Sequence, residues 1–101
     1  MKVTYIGHSG FLLEWKDCFW LFDYYEGNIP IPSVPKPLYV FSSHSHGDHF
    51  NPAIFSIAGF SKICYILSHD IMKKAKKYEA IVSTDSIHFM KARQKLLLPV
   101  E

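Results

Sequence analysis

His44-Ser45-His46-Gly47-Asp48-His49 sets three imidazoles and a carboxylate within six residues. Imidazole nitrogen and carboxylate oxygen are the donors that hold zinc and its first-row neighbours. In an extended or tightly turned segment alternate residues project together, so His44 and His46 can grip one ion. Gly47 lets the backbone turn sharply, which allows Asp48 and His49 to face a second ion close by. The chemistry such a site supplies is hydrolysis by a metal-activated water. Accidental clustering of the chain's six histidines is the alternative. The order of the hexad, directly after the apolar run Leu38-Tyr39-Val40-Phe41, weighs against it.

The elements that must position this loop follow from apolar alternation. Lys2 to Ile6, Gly10 to Trp15 and Cys18 to Asp23 read as three strands of an antiparallel meander, with Val3, Tyr5, Phe11, Leu13, Phe19 and Leu21 supplying the alternation. Asn28 to Pro37 carries Pro30, Pro32, Pro35 and Pro37, so it is a stiff extended loop outside any sheet interior. A plain crossover into the strand Leu38 to Ser42 is its expected role, with a wall of the metal cleft as the alternative. After the hexad, Asn51-Pro52 opens a short helix that ends near Gly59 and buries Ile54, Phe55 and Ala58. Ile63 to Leu67 is a further strand of the same sheet. Ser68 then caps a helix running to about Tyr78, and Ala80 to Ser83 forms another short strand. Leu96-Leu97-Leu98 is expected to lie as a strand against the core. Strand and helix alternating after a meander give an α/β (α+β) domain: a mixed β-sheet with helices on one face.

Composition narrows the class. Apolar residues make up 49% of the 101 residues and aromatics 16%, which suffices for one core spanning 1-101 as a single domain. No apolar stretch approaches the ~20 residues that span a bilayer, and the N-terminus carries no signal-peptide pattern. Cys18 and Cys64, two cysteines without framework spacing, read as free buried thiols in a reducing compartment, so the expected location is cytoplasmic. The net charge of +2 does not indicate nucleic acid. Lys73, Lys74, Lys76 and Lys77 fall on the solvated face of a helix whose inner stripe is Ile71, Met72, Ala75 and Tyr78.

The hexad resembles the signature loop of the metallo-β-lactamase superfamily of metal-dependent hydrolases. Met1-Lys2-Val3-Thr4-Tyr5-Ile6-Gly7-His8-Ser9-Gly10-Phe11-Leu12-Leu13-Glu14 and Leu21-Phe22-Asp23 fit the same pattern in the same order. The resemblance implies a metallo-β-lactamase-type αββα sandwich of which this chain is the N-terminal half. It implies that His44 and His46 bind a first ion and that Asp48 and His49 bind a second. Asp48 is then also the catalytic residue that orients the water or moves its proton. The expected cofactor is zinc, as one or two divalent ions, with manganese, iron or nickel as alternatives. Asp23 looks like the family's early aspartate, which supports the metal loop through hydrogen bonds without ligating. His8 is a candidate for the same cleft, against the reading of a surface turn histidine. His69 reads as part of a helix start and His88 as the outward residue of a strand, neither as a ligand. The reaction the resemblance implies is hydrolysis of an ester, lactone or phosphodiester-type bond in a small molecule, and it leaves the substrate itself open.

Length sets the competing reading. Half a sandwich exposes the apolar inner face of its sheet, so a homodimer in which two copies cover that face is expected. The family's later metal ligands have no counterpart after His49. The alternative to a hydrolase is therefore a truncated, catalytically incomplete metal-binding or assembly module.

Overall fold

Short runs of alternating side chains, separated by glycine turns and a proline-rich crossover, build one six-stranded sheet. The computed structural model describes residues 2–7, 10–30, 32–43, 52–57, 59–72 and 87–91. Its strands are β1 (Lys2–Gly7), β2 (Gly10–Glu14), β3 (Phe19–Phe22), β4 (Pro37–Ser42), β5 (Lys62–Ser68) and β6 (Ile87–Met90). They lie in the sheet in chain order, β1-β2-β3-β4-β5-β6. The pairs β1/β2 and β2/β3 are antiparallel, whereas β3/β4, β4/β5 and β5/β6 are parallel. The sheet is thus mixed, as expected. Pro37 is the first residue of β4, where its missing N–H costs no interior ladder bond.

Register decides which side chains share a face. Leu12, Leu21, Val40, Tyr65 and Ile87 stand in one row across β2 to β6. This row anchors the larger core, in which Leu21, Leu38, Val40, Leu67, Ile54 and Ile71 are fully buried. Each such side chain contributes roughly 1.5–3 kcal/mol relative to exposure. Ile54 comes from a 3-10 turn at Pro52–Ser56 and Ile71 from a second at His69–Ile71, so both turns pack on this face. Tyr65 ties the first of them down: its hydroxyl donates to the Ile54 carbonyl at 2.9 Å, and its ring meets Phe55 at 4.9 Å.

The opposite face is aromatic. Tyr5, Phe11, Phe22, Phe41, Ile66 and His88 form one row, and Val3, Leu13, Trp20, Tyr39 and Cys64 form another. Tyr39, Ile66 and Cys18 are buried within it, but Val3 is 55% exposed, Tyr5 60% and Phe11 41%. The expected alternation therefore divides between faces. Val3, Tyr5, Phe11 and Leu13 lie on the aromatic face, while Phe19 and Leu21 lie in the main core, because the sheet carries apolar side chains on both sides.

The first helical segment, a 3-10 turn at Pro52–Ser56, is shorter than the sequence suggests. Ile54 and Phe55 are buried as expected, and Gly59 follows at φ +96. Ser68 precedes the second turn, yet its side chain makes no capping hydrogen bond, since Ser68 ends a paired strand. Ile71 is buried, whereas Met72 of the expected inner stripe is 39% exposed. Asn51, Ala58, the rest of the expected helix to Tyr78, the strand at Ala80 to Ser83 and the tail with Leu96-Leu97-Leu98 lie outside the described residues. A second sheet completing an αββα sandwich is not among the described elements. Pro30, Pro32 and Val34 line a cavity with Lys2, Glu14 and Lys36 at the end of the sheet where β4 begins, whereas Asn28 and Ile29 line another with Tyr24, Ala53 and Ser56. The segment connects β3 to β4 as the expected crossover, and the metal cleft it was weighed against falls at the hexad, outside the described residues. Lys36 fixes the segment by donating to Glu14 Oε2 at 2.9 Å and to the Trp15 carbonyl at 3.0 Å.

Candidate metal centre

Parallel strands deliver their carboxyl ends to one edge of a sheet, where ligand sites in such sheets lie. Here that edge carries Asp23 after β3, Ser43 after β4, Ser68 at the end of β5 and Lys91 after β6. Gly7 and Gly10, which flank His8, stand at the same edge, with Gly10 packed against the carbonyls of Phe22 and Asp23.

Asp23 is the fixed point. Its backbone has left the strand region for φ +46, a left-handed conformation that aspartate tolerates better than most residues. Its N–H still donates to the Phe41 carbonyl at 2.8 Å, which holds it beside the end of β4. The carboxylate then receives the Ser43 N–H at 2.7 Å and the Ser43 hydroxyl at 3.0 Å from each oxygen. A carboxylate accepting a backbone N–H is among the stronger hydrogen bonds available. It fixes the chain at the residue immediately before His44. On the far side of the hexad, the Pro52–Ser56 turn is held by buried Ile54 and by the Tyr65 hydroxyl. The described residues on either side of the hexad are thus both tied to the sheet, Ser43 through Asp23 and the Pro52–Ser56 turn through Tyr65.

The four ligand candidates His44, His46, Asp48 and His49 lie outside the described residues, as does His8. Among the described residues no three of His, Cys, Asp and Glu come together as a metal site. His69 opens the second 3-10 turn, in keeping with its reading as part of a helix start. His88 is half-buried opposite Ile66, on the face away from the main core against which Ile87 and Phe89 pack, as its reading as the outward residue of a strand expects. Cys18 and Cys64 are free thiols. Burial pushes the Cys64 thiol up from its ordinary pKa, with Lys62 opposing, so it stays protonated at neutral pH and is a poor ligand.

Two features escape a reading by motif. One is Ser43, whose role as the partner of Asp23 is signalled only by a serine pair between an apolar strand and the hexad. The other is a cleft of about 450 Å³ at this edge, lined in part by Phe22, Asp23, Phe41, Ser43, Met90 and Lys91. Ser42 also lines it; its hydroxyl is buried and has no hydrogen-bond partner among the described residues.

Similar proteins carry the name of metal-dependent enzymes. A protein of Desulforamulus reducens is 46% identical over 57 residues, covering 54% of this chain and 25% of its own length. One from Archaeoglobus fulgidus is 30% identical over 82 residues, covering 78% of this chain and 35% of its own. One from Carboxydothermus hydrogenoformans is 31% identical over 84 residues, covering 72% and 37%. All three carry one name. They are UPF0173 metal-dependent hydrolases, a family of the metallo-β-lactamase superfamily. The chain spans 25% to 37% of the length of these UPF0173 relatives. No family model matches the chain, and no solved structure matches it.

Proposed function

We propose that this chain is a metal-dependent hydrolase of the metallo-β-lactamase superfamily, or the metal-bearing part of one. It would act on an ester, lactone or phosphodiester-type bond of a small molecule. The observation that carries the reading is the Asp23 carboxylate holding Ser43 directly before His44. A bracing hydrogen bond at this place is what a loop of metal ligands requires, since partners behind the ligands set their orientation. The UPF0173 relatives support it by name.

The donor set fits a divalent metal: three imidazoles and a carboxylate suit zinc, with manganese, iron and nickel as alternatives. His44, His46, Asp48 and His49 would hold one or two such ions. A bound divalent ion supplies Lewis acidity, polarising the bond under attack and making water nucleophilic near neutral pH. Asp48 would accept and pass on the proton of the attacking water. Asp23 and Ser43 position the loop and touch no reacting atom. Free thiols at Cys18 and Cys64 fit a reducing, cytoplasmic setting. Among the described residues no helix is long and apolar enough to cross a membrane.

A second reading is favoured by length: at 25% to 37% of the relatives' span, the chain would be a metal-binding or assembly module that is catalytically incomplete. Metal content of protein purified without chelator or affinity histidines, followed by turnover of ester, lactone and phosphodiester probes, separates the two. Stoichiometric zinc that disappears on replacing His44 and His46 with alanine supports the site. Undiminished zinc in that double variant refutes it.

A further inference from the structure

We propose that the cavity between the proline-rich crossover and the first three strands is a second ligand site, which takes a small carboxylate with an apolar body. The inference goes beyond the hydrolase reading and stands without it. The cavity has a volume of about 350 Å³, within the range of small-molecule sites. It lies where β3 and β4 begin, whereas Asp23 and Ser43 follow the ends of those strands.

The cavity follows from the sequences of its two walls. Register sets Thr4 beside Leu12, and Lys2 beside Glu14 beside Phe19, on the face of β1 to β3 that carries the main core. These residues form the floor. Over them passes a segment in which Pro30, Pro32 and Pro35 have no N–H to donate, so it does not join the sheet as another strand. The fixed φ of each proline stiffens this wall, and a cavity formed in advance costs a ligand little ordering.

Lys36 sets the charge of the site. Its carbonyl accepts from the Ser61 N–H at 3.1 Å, which ties the segment to the start of β5. Its ammonium donates to Glu14 Oε2 at 2.9 Å and to the Trp15 carbonyl at 3.0 Å, and lies 5.1 Å from the centre of the Phe19 ring. The Lys36 side chain is 19% exposed, so this cation is held in place and partly shielded from water, where its attraction for an anion is stronger. Lys2, the register partner of Glu14, brings a second ammonium to the same cavity. A carboxylate head is attracted to both lysines, and the hydroxyls of Thr4 and Ser33, which also line the cavity, are further donors for it. A phosphate dianion fits less well, because it would share the Lys36 ammonium with the Glu14 carboxylate at close range.

The apolar body has its own contacts. Leu12 and Phe19 give the floor an apolar surface, and Val34 stands on the opposite wall. Val34 is 62% exposed although it lines the cavity, so it keeps apolar area that a ligand would cover.

The test follows hexanoate binding to the full chain through the methyl resonances of Thr4, Leu12 and Val34 and through magnetisation transfer from the ligand to the Phe19 ring. Hexanamide, which has the same shape without the charge, and hexyl phosphate serve as comparisons. The expected result is saturable hexanoate binding at these residues, with both comparisons weaker by about fivefold or more, the worth of one partly exposed ion pair. Lys2→Met keeps much of the stem and removes the charge at an exposed position. It should weaken hexanoate by about fivefold and leave hexanamide unchanged. Thr4→Phe, which fills the cavity from the edge strand, should abolish hexanoate binding in a protein that still folds. Hexanamide bound as tightly as hexanoate, or hexanoate binding unmoved by Lys2→Met, would overturn the carboxylate site. Tighter binding of hexyl phosphate would overturn it as well. Hexanoate shifts confined to Tyr5 and Phe11, or to Asp23 and Ser43, would put the ligand on the exposed aromatic face or at the opposite edge and sink the proposal, as would no saturable binding at all.

Discussion

Replacing Asp23 with glycine isolates what its carboxylate does. At φ +46 most substitutions would add backbone strain of their own, but glycine adopts this conformation freely. The exchange therefore removes the carboxylate while relieving up to about 1 kcal/mol of left-handed strain. What is lost is the carboxylate's grip on the Ser43 N–H at 2.7 Å and on the Ser43 hydroxyl at 3.0 Å. Hydrogen bonds to a charged group contribute about 1.5–3 kcal/mol when shielded from water. Asp23 is half-buried and Ser43 exposed, so water replaces part of each bond and the pair contributes about 2 kcal/mol here. The expected net destabilisation is about 1 kcal/mol, read as a lower urea midpoint with unchanged slope. The functional effect is larger. With Ser43 released, the chain leading into His44 loses its brace, and zinc affinity, measured by competition with a coloured chelator, should fall 10- to 100-fold, as is usual for loss of such supporting partners. Asp23→Asn keeps one carbonyl oxygen for the Ser43 N–H and should lie between the two. Native zinc affinity in a folded Asp23→Gly protein would refute the reasoning, because the loop would then be held by something else.

Three further outcomes are expected. Tyr65→Phe should cost about 1–2 kcal/mol by orphaning the Ile54 carbonyl. Burial pushes the Tyr65 phenol up to about 12 from 10.0, so the fold favours its neutral form. This contribution is complete below pH 10 and lost as pH rises through about 12; parallel alkaline unfolding curves for native and Tyr65→Phe proteins would contradict it. Gly27→Ala should destabilise by roughly 1–3 kcal/mol, since Gly27 sits at φ +107 and an added methyl strikes the Ile6 carbonyl; an unchanged melting temperature would contradict the packing. If a second copy covers the exposed Val3, Tyr5 and Phe11, the solution mass should be twice 11.7 kDa and Tyr5→Lys should halve it; a native monomer at micromolar concentration excludes that arrangement.

The strands were legible because strong β-formers alternate between clear turn residues, and all of the described ones fall where such runs occur. Which face each side chain takes was not legible. Polar residues mark the outer side of a strand only when one face meets water, and here Leu12 and Phe11, Leu21 and Phe22 leave both faces apolar. Helix signals misled locally for a similar reason. Ser68 looks like a cap, yet pairing to β6 holds it in the sheet. At the hexad the sequence offers a donor list whose placement lies outside the described residues, and the bracing role of Asp23 before it was legible only by family resemblance. No local pattern joins Asp23 to Ser43, twenty residues apart in sequence; parallel pairing of β3 with β4 does so.

Because every strand pairs with its predecessor in the chain, the sheet can grow from its amino-terminal edge one strand at a time as the polypeptide leaves the ribosome. The hexad lies in the crossover from β4 to β5, so its two anchors arrive at different moments. Asp23 precedes β4, and its bond to Ser43 forms as soon as β4 has docked. Tyr65, which secures the far side, emerges only with β5. The second of these anchors is thereby timed to the fifth strand: a nascent chain stopped before Tyr65 would hold Ser43 but leave the Pro52–Ser56 turn without its bond to the Tyr65 hydroxyl.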